Sequence, residues 1–150
     1  MTCLKILCVV GWLTLPVGTP LDDGSKRDLE RFQGSWQATA ILTDDGRSAP
    51  VEDLENTRLV VTGDRFVLKG KEYTITGRIT IDGAKTPKTI DVTLDAKEGQ
   101  QPVKLLGIYC IDGETRKSCF AMPDKNRPTS FPMSPKGHVQ FEWKRQSERN

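Results

Sequence analysis

The sequence has few of the residues on which most enzyme and metal chemistry depends. Its 150 residues include one histidine, His138, and four cysteines, of which Cys3 and Cys8 lie in an apolar N-terminal segment. Two remaining cysteines and one distant histidine do not make the four ligands of a structural zinc site. The chain also has no Gly-x-Ser-x-Gly motif and no Asp-x-Asp-x-Asp-Gly loop. We therefore predict a protein that is not an enzyme, with no catalytic residues, no metal site and no cofactor.

A strong excess of charge of either sign is absent as well. The sequence has 22 Lys and Arg against 20 Asp and Glu, a net charge of +2. Nucleic-acid binding relies on a concentrated positive field, so we expect no nucleic acid as a partner. The basic residues of the C-terminal third form a predicted rim that could attract an acidic partner: Arg116, Lys117, Lys125, Arg127, Lys136, Lys144, Arg145 and Arg149.

Long apolar runs are absent except at the N-terminus. Residues 1–20 carry a single charge, Lys5, which is followed by an apolar run over residues 6–18. This order is typical of a secretory signal peptide. The run is shorter than the ~20 residues of a membrane-spanning helix. We expect residues 1–20 to be a signal peptide and residues 21–150 to be one exported domain, periplasmic or extracellular, without a stable membrane span.

The rest of the chain has the two-residue period of β-strands. Ser25 is predicted to cap a short N-terminal helix that ends at Gly34, and apolar and polar residues then alternate from Trp36 to Leu42. Turn pairs such as Asp112-Gly113 separate further strands, which are predicted at residues 59–61, 66–68, 73–81, 90–94, 103–111, 115–122 and 139–143. Eight short antiparallel strands indicate a barrel or a sandwich.

Two short motifs resemble the lipocalin, or calycin, signature. Gly34-Ser35-Trp36 begins the first strand, and Trp143-Lys144-Arg145 ends the last one. The resemblance implies an all-β, eight-stranded antiparallel up-and-down barrel with a short N-terminal helix. It also implies a barrel floor in which a late basic residue packs over Trp36, with Arg145 the first candidate and Lys144 the second. A cation over an indole is worth up to about 2 kcal/mol when desolvated.

A longer series of motifs covers about residues 28 to 145 and resembles the uncharacterised lipocalin-like domain that is expanded in planctomycete bacteria. The motifs are Leu29 to Trp36, Arg58-Leu59-Val60-Val61, Thr86-Pro87-Lys88-Thr89-Ile90-Asp91, Leu106-Gly107-Ile108-Tyr109, Asp112-Gly113, Cys119 and Arg127-Pro128-Thr129. The resemblance implies the fold and an exported location, and it brings no established catalytic residue. Cys110 departs from the family pattern, in which a charged residue is usual.

The alternation predicts which side chains point into the barrel. The residues expected to bind a ligand in the lumen are Trp36, Ala38, Ala40, Phe66, Tyr73, Ile75 and Phe141, and those expected to join them inside are Leu68, Ile90, Val92, Val139 and Trp143. An eight-stranded barrel is just wide enough to be filled by side chains or to hold one small ligand. The alternation leaves both outcomes open. The proline-rich segment 123–136, with Phe131 and Met133, is predicted to gate or cover the barrel mouth.

The cysteines and the histidine have simple predicted roles. With a two-residue loop at Asp112-Gly113, Cys110 and Cys119 are offset by four residues along the paired strands, which is too far for a disulfide. A four-residue loop reduces the offset to two residues. We therefore expect free thiols. His138 is predicted to face solvent. It would point into the lumen and could bind a haem iron there only if the last strand shifted by one residue.

Two functions fit these expectations. The first is an exported binding module that holds a small apolar or amphipathic ligand in its lumen. The second is an interaction or structural module with a filled core, which binds a protein or cell-envelope partner through its loops and basic rim.

Overall fold

The computed structural model describes residues 21–131 and 136–147, and its strands close into an antiparallel barrel. The strands are β1 (Gly34–Leu42), β2 (Arg58–Thr62), β3 (Arg65–Lys69), β4 (Thr74–Asp82), β5 (Thr89–Leu94), β6 (Val103–Asp112), β7 (Thr115–Ala121) and β8 (His138–Arg145). Each strand pairs with its neighbours in sequence, and β1 pairs with β8 to close the sheet. The predicted all-β, eight-stranded up-and-down barrel is confirmed. The predicted signal peptide, residues 1–20, lies outside the described residues.

Helix α1 (Asp23–Phe32) precedes the barrel and packs across the end at which Trp36 lies. Asp22, not Ser25, caps it, because the Asp22 carboxylate accepts hydrogen bonds from the backbone N–H groups of Gly24 and Ser25. The predicted Ser25 cap is therefore wrong. Ser25 is buried instead, and its hydroxyl accepts a hydrogen bond from the Gly83 N–H at 2.9 Å. This contact ties α1 to the loop after β4.

A second helix, α2 (Val51–Asn56), lies between β1 and β2 and was not predicted. It has six residues, none of them buried, so no apolar period marks it in the sequence. The Gln37 side chain of β1 donates to the Leu54 carbonyl and, at 3.1 Å, to the Thr57 carbonyl. Each of these carbonyls also accepts a backbone N–H group, so Gln37 adds a second hydrogen bond that ties the end of α2 to β1.

Strand β1 contains a bulge that reverses its alternation. Its register with β8 shifts between Ala38, which pairs with Trp143, and Ala40, which pairs with Glu142. One extra residue in one strand moves the following side chains to the opposite face. Ile41 is buried as a result, and Ala40 is only partly buried. The prediction that Ala40 points into the lumen is therefore wrong.

The β6–β7 hairpin turns at Gly113-Glu114, one residue later than the favoured prediction. Asp112 pairs with Thr115 and Ile111 pairs with Arg116, so the strands are displaced by two residues from the register with Asp112-Gly113 at the tip. This is the register that the four-residue loop predicted. Cys110 now pairs with Lys117, and Cys119 pairs with Ile108. Both cysteines are free thiols.

Candidate functional site

The barrel lumen contains an apolar, partly open cavity of about 270 Å³. Among the described residues that line it, only Arg116 and Ser118 have side chains rich in polar atoms. The others are Leu59, Phe66, Leu68, Ile75, Ile79, Ile90, Val92, Leu94, Leu105, Phe120, Ala121, Met122, Val139, Phe141 and Trp143. Three of the predicted ligand-binding residues, Phe66, Ile75 and Phe141, are part of this wall. The strand alternation places them there, since every second residue of β3, β4 and β8 points inward.

Tyr73 lies away from the cavity, and its predicted place in the lumen is wrong. Its side chain is 46% exposed, and β4 begins only at the following residue. The Tyr73 ring packs so closely against Gly70 that a Cβ added to Gly70 would lie 2.2 Å from the ring. The Gly70 N–H also donates to the Tyr73 carbonyl at 2.9 Å. Tyr73 therefore belongs to the turn between β3 and β4.

Trp36 and Ala38 are buried at the closed end of the barrel, beyond the cavity wall. The Trp36 ring nitrogen donates to the Phe32 carbonyl at 2.8 Å, which joins the floor to α1. The guanidinium carbon of Arg145 lies 4.3 Å from the centre of the Trp36 ring. Arg145 also donates to the Gln33 carbonyl at 2.6 Å and to the Arg31 carbonyl. Arg145 thus covers Trp36 from the α1 side and has its own hydrogen-bond partners.

Arg116 lines the cavity although the sequence predicted it on the basic rim. It lies on β7, is 4% exposed, and lines the cavity. Its guanidinium carbon is 4.2 Å from the centre of the Phe32 ring and 4.7 Å from that of Trp36. Its Nε and Nη1 atoms have no hydrogen-bond partner among the described residues. The signal that could have revealed it is the two-residue period of β7, which puts Arg116 on the same face as Ser118 and Phe120.

The electrostatics of Arg116 are those of an uncompensated buried cation. Burial, and secondarily the like charge of Arg145, lower the pKa of Arg116 from its usual range to about 9. Within the described part of the chain no carboxylate acts on that pKa in the opposite direction. At neutral pH the group is still protonated. A buried positive charge therefore lies next to an almost wholly apolar cavity.

A second buried polar cluster lies between α1 and the barrel. Asp28 accepts hydrogen bonds from the Tyr109 hydroxyl at 2.8 Å and from Lys88 Nζ at 2.6 Å. Burial raises the pKa of Asp28, but these bonds and the charges of Lys88 and Arg31 outweigh it, and the net pKa is lowered. Because every strong interaction of Asp28 is made within the protein, this cluster fixes α1 to the barrel end.

The segment after β7 begins and ends beside the cavity. The N–H of Met122, which lines the cavity, donates to the Gly137 carbonyl at 3.1 Å. Arg127 fixes the middle of the segment to the outer surface, since it donates to Asp91 at 2.6 Å and to the Gly107 carbonyl at 2.7 Å. Phe131 lies outside the barrel near Lys117, and Met133 lies outside the described residues.

Other candidate groups do not combine into a site within residues 21–131 and 136–147. His138 is partly buried, lies away from the cavity wall and has its Nδ1 atom 3.0 Å from the Lys136 carbonyl. In the same residues no three histidine, cysteine or acidic side chains are placed to share a metal ion. No described helix has the length and hydropathy needed to cross a membrane.

Comparisons with known proteins give no further guide to the site. A scan against models of protein families, a search of the curated proteins and a search of the solved structures each matched nothing.

Proposed function

We propose that this chain is an exported, lipocalin-like binding module that holds a small apolar or amphipathic molecule in the barrel lumen. The observation that carries the proposal is the cavity of about 270 Å³ within the closed barrel. An apolar, concave site with a few polar groups is the usual form of a small-molecule site. The alternative, a module with a filled core, is disfavoured by the same cavity.

The volume limits the ligand to a small molecule. An engineered apolar cavity of about 150 Å³ takes one benzene molecule. A cavity of 270 Å³ therefore has room for a molecule of somewhat under twice that size.

Export remains part of the proposal and depends on residues 1–20. Their single charge and apolar run support it. Native mass spectrometry of the protein purified from its host, followed by denaturing mass analysis, tests both parts. A small molecule lost on denaturation would support the lumen site, and a mass that lacks the N-terminal segment would support export. A mass that retains residues 1–20 in the extracytoplasmic fraction would contradict cleavage.

A variant that fills the lumen gives a sharper test of the site. Leu68 lines the cavity, whereas Val60 on the neighbouring strand is 38% exposed on the outer surface. We expect Leu68→Trp to abolish binding of a fluorescent apolar dye, and Val60→Trp to leave it unchanged. Equal dye binding by both variants and the parent would place the dye outside the lumen and overturn the proposal.

A further inference from the structure

Arg116 is a charge that the fold does not explain. Its neighbour on the Trp36 ring, Arg145, makes hydrogen bonds to two carbonyls and an ion pair with Glu114 at 3.3 Å. The Nε and Nη1 atoms of Arg116 have no such partners among the described residues. A buried cation without partners is costly, and buried polar atoms in native proteins are nearly always paired. A partner from outside the chain would remove this cost.

The position of Arg116 determines what kind of partner fits. The guanidinium rests on Phe32 and Trp36, and Arg116 is one of the residues that line the cavity, whose wall is almost wholly apolar. A guanidinium matches a carboxylate in charge and in the spacing of its donors. A doubly charged group such as a phosphate monoester would leave its second charge without a cation inside an apolar lumen. Ser118 lies two residues further along β7 and adds a hydroxyl to the same wall.

We infer that the lumen takes a small apolar molecule with a single carboxylate head group, and that Arg116 pairs with this carboxylate at the floor of the cavity. The inference rests on the proposed lumen-binding function and specifies its ligand class. The apolar body of the ligand lies among the side chains of β3, β4 and β8, including Phe66, Ile75 and Phe141. The ligand is therefore held with its charged end toward Trp36 and its apolar end toward Met122.

Calorimetric titration with two ligands of equal chain length, octanoate and octan-1-ol, tests this inference at pH 7. We expect the wild-type protein to bind octanoate at least tenfold more tightly than octan-1-ol, since only the acid forms a charge-assisted pair. Arg116→Met should lose that preference and still bind octan-1-ol. The control is Arg78→Met, which removes the same charge from a side chain that is 65% exposed on the outer surface. It should retain the preference.

The outcomes separate the inference from the proposed function. If neither ligand binds the wild-type protein, both are overturned. If both ligands bind equally well, the lumen function stands and the carboxylate inference is overturned. A preference for octanoate that persists in Arg116→Met would also overturn the inference, because the charge that selects the acid would then be another one.

A measurement on the wild-type protein keeps the test decisive if Arg116→Met does not fold. Carbon NMR of carboxyl-labelled octanoate reports the pKa of the bound head group. Pairing with Arg116 should lower that pKa relative to free octanoate. A raised pKa would show a head group in apolar surroundings without a cation, and it would overturn the inference.

Discussion

The guanidinium carbon of Arg116 lies 4.7 Å from the centre of the Trp36 ring, on the cavity side of the barrel floor. A second guanidinium, that of Arg145, lies 4.3 Å from the same ring. Arg145 is held by backbone carbonyls near the end of α1, whereas Arg116 projects from β7 into the core. One indole therefore lies between the arginine that closes the barrel end and the arginine beside the cavity.

Trp36→Ala tests the role of this residue in the fold. Trp36 is completely buried, and its ring contacts Arg145, Arg116 and the Phe32 carbonyl. Truncation of a large buried aromatic side chain should lower the free energy of unfolding by about 3–5 kcal/mol. Urea denaturation measures the change. Tyr73→Ala is the control, since Tyr73 is 46% exposed and its loss should change that free energy by less than about 1 kcal/mol.

A Trp36→Ala protein that melts within a few degrees of the parent would contradict the floor assignment. The loss of 3–5 kcal/mol is comparable to a large part of the total stability of an ordinary domain. The melting temperature and the urea midpoint of the variant are therefore both expected to fall well below those of the parent.

Alternation of apolar residues predicted the barrel because most of its strands are regular. Phe66 and Phe141 lie in strands without bulges, and both line the cavity as the two-residue period indicates. Ala40 follows a bulge, and no feature of the residue pattern marks the extra residue. Tyr73 has the same position in the alternation as the inward-facing residues of β4, but it precedes the first residue of that strand. Alternation does not show at which residue strand pairing begins.

The charged wall of the cavity could not be predicted for a different reason. Arginine is almost never fully buried unless it is paired, so a basic residue beside a turn is assigned to the surface. Arg116 violates this rule, because β7 turns it inward next to two aromatic rings. Local rules fail most often at functional sites, where binding and stability have opposing requirements.

Asp28→Asn tests the contact between α1 and the barrel. The substitution keeps the shape of Asp28 but removes the charge that Lys88 and Tyr109 share. Hydrogen bonds to a charged group contribute about 1.5–3 kcal/mol, so we expect a loss of that size at pH 7. Asp95→Asn, which disturbs an exposed pair with Arg65, should cost less than about 1 kcal/mol.

The effect of Asp28→Asn should depend on pH. The pKa of Asp28 is lowered in the folded protein, so its contribution is complete above the unfolded pKa of about 3.9 and is lost as the pH falls through the lower folded value. The difference in the free energy of unfolding between Asp28→Asn and the parent should therefore shrink below about pH 4. A difference that stays constant between pH 7 and pH 3 would show that the charge of Asp28 has no part in it.

The two cysteines of the β6–β7 hairpin should react at very different rates. Cys110 is exposed, whereas Cys119 is fully buried, and burial raises the pKa of the Cys119 thiol to about 11. Because the thiolate is the reactive form, we expect Ellman's reagent to modify Cys110 promptly and Cys119 only on unfolding. Cys110→Ser should abolish the fast reaction. Loss of two hydrogens in the denatured mass would instead show a disulfide between them.

Arg116→Met separates binding from stability. Below about pH 9 the native protein holds Arg116 as a buried cation, whereas the unfolded chain solvates it, so its charge opposes folding over the whole neutral range. Methionine removes that charge and keeps an apolar chain against Phe32 and Trp36. We expect the ligand-free variant to gain about 1–2 kcal/mol in the free energy of unfolding at pH 7, since apolar replacement of buried ions is often stabilising.

The control for this gain is Arg145→Met. Arg145 has hydrogen-bonded partners, so its removal should lower the free energy of unfolding by about 1–3 kcal/mol. With octanoate present, the parent should become more stable than Arg116→Met. A ligand stabilises the state that binds it, and only the parent has the cation that pairs with the carboxylate. A ligand-free Arg116→Met that is less stable than the parent by more than about 1 kcal/mol would make Arg116 a structural cation held by its two rings. A stable variant that octanoate no longer protects would instead show that the charge is retained for the ligand, at a cost to the empty barrel.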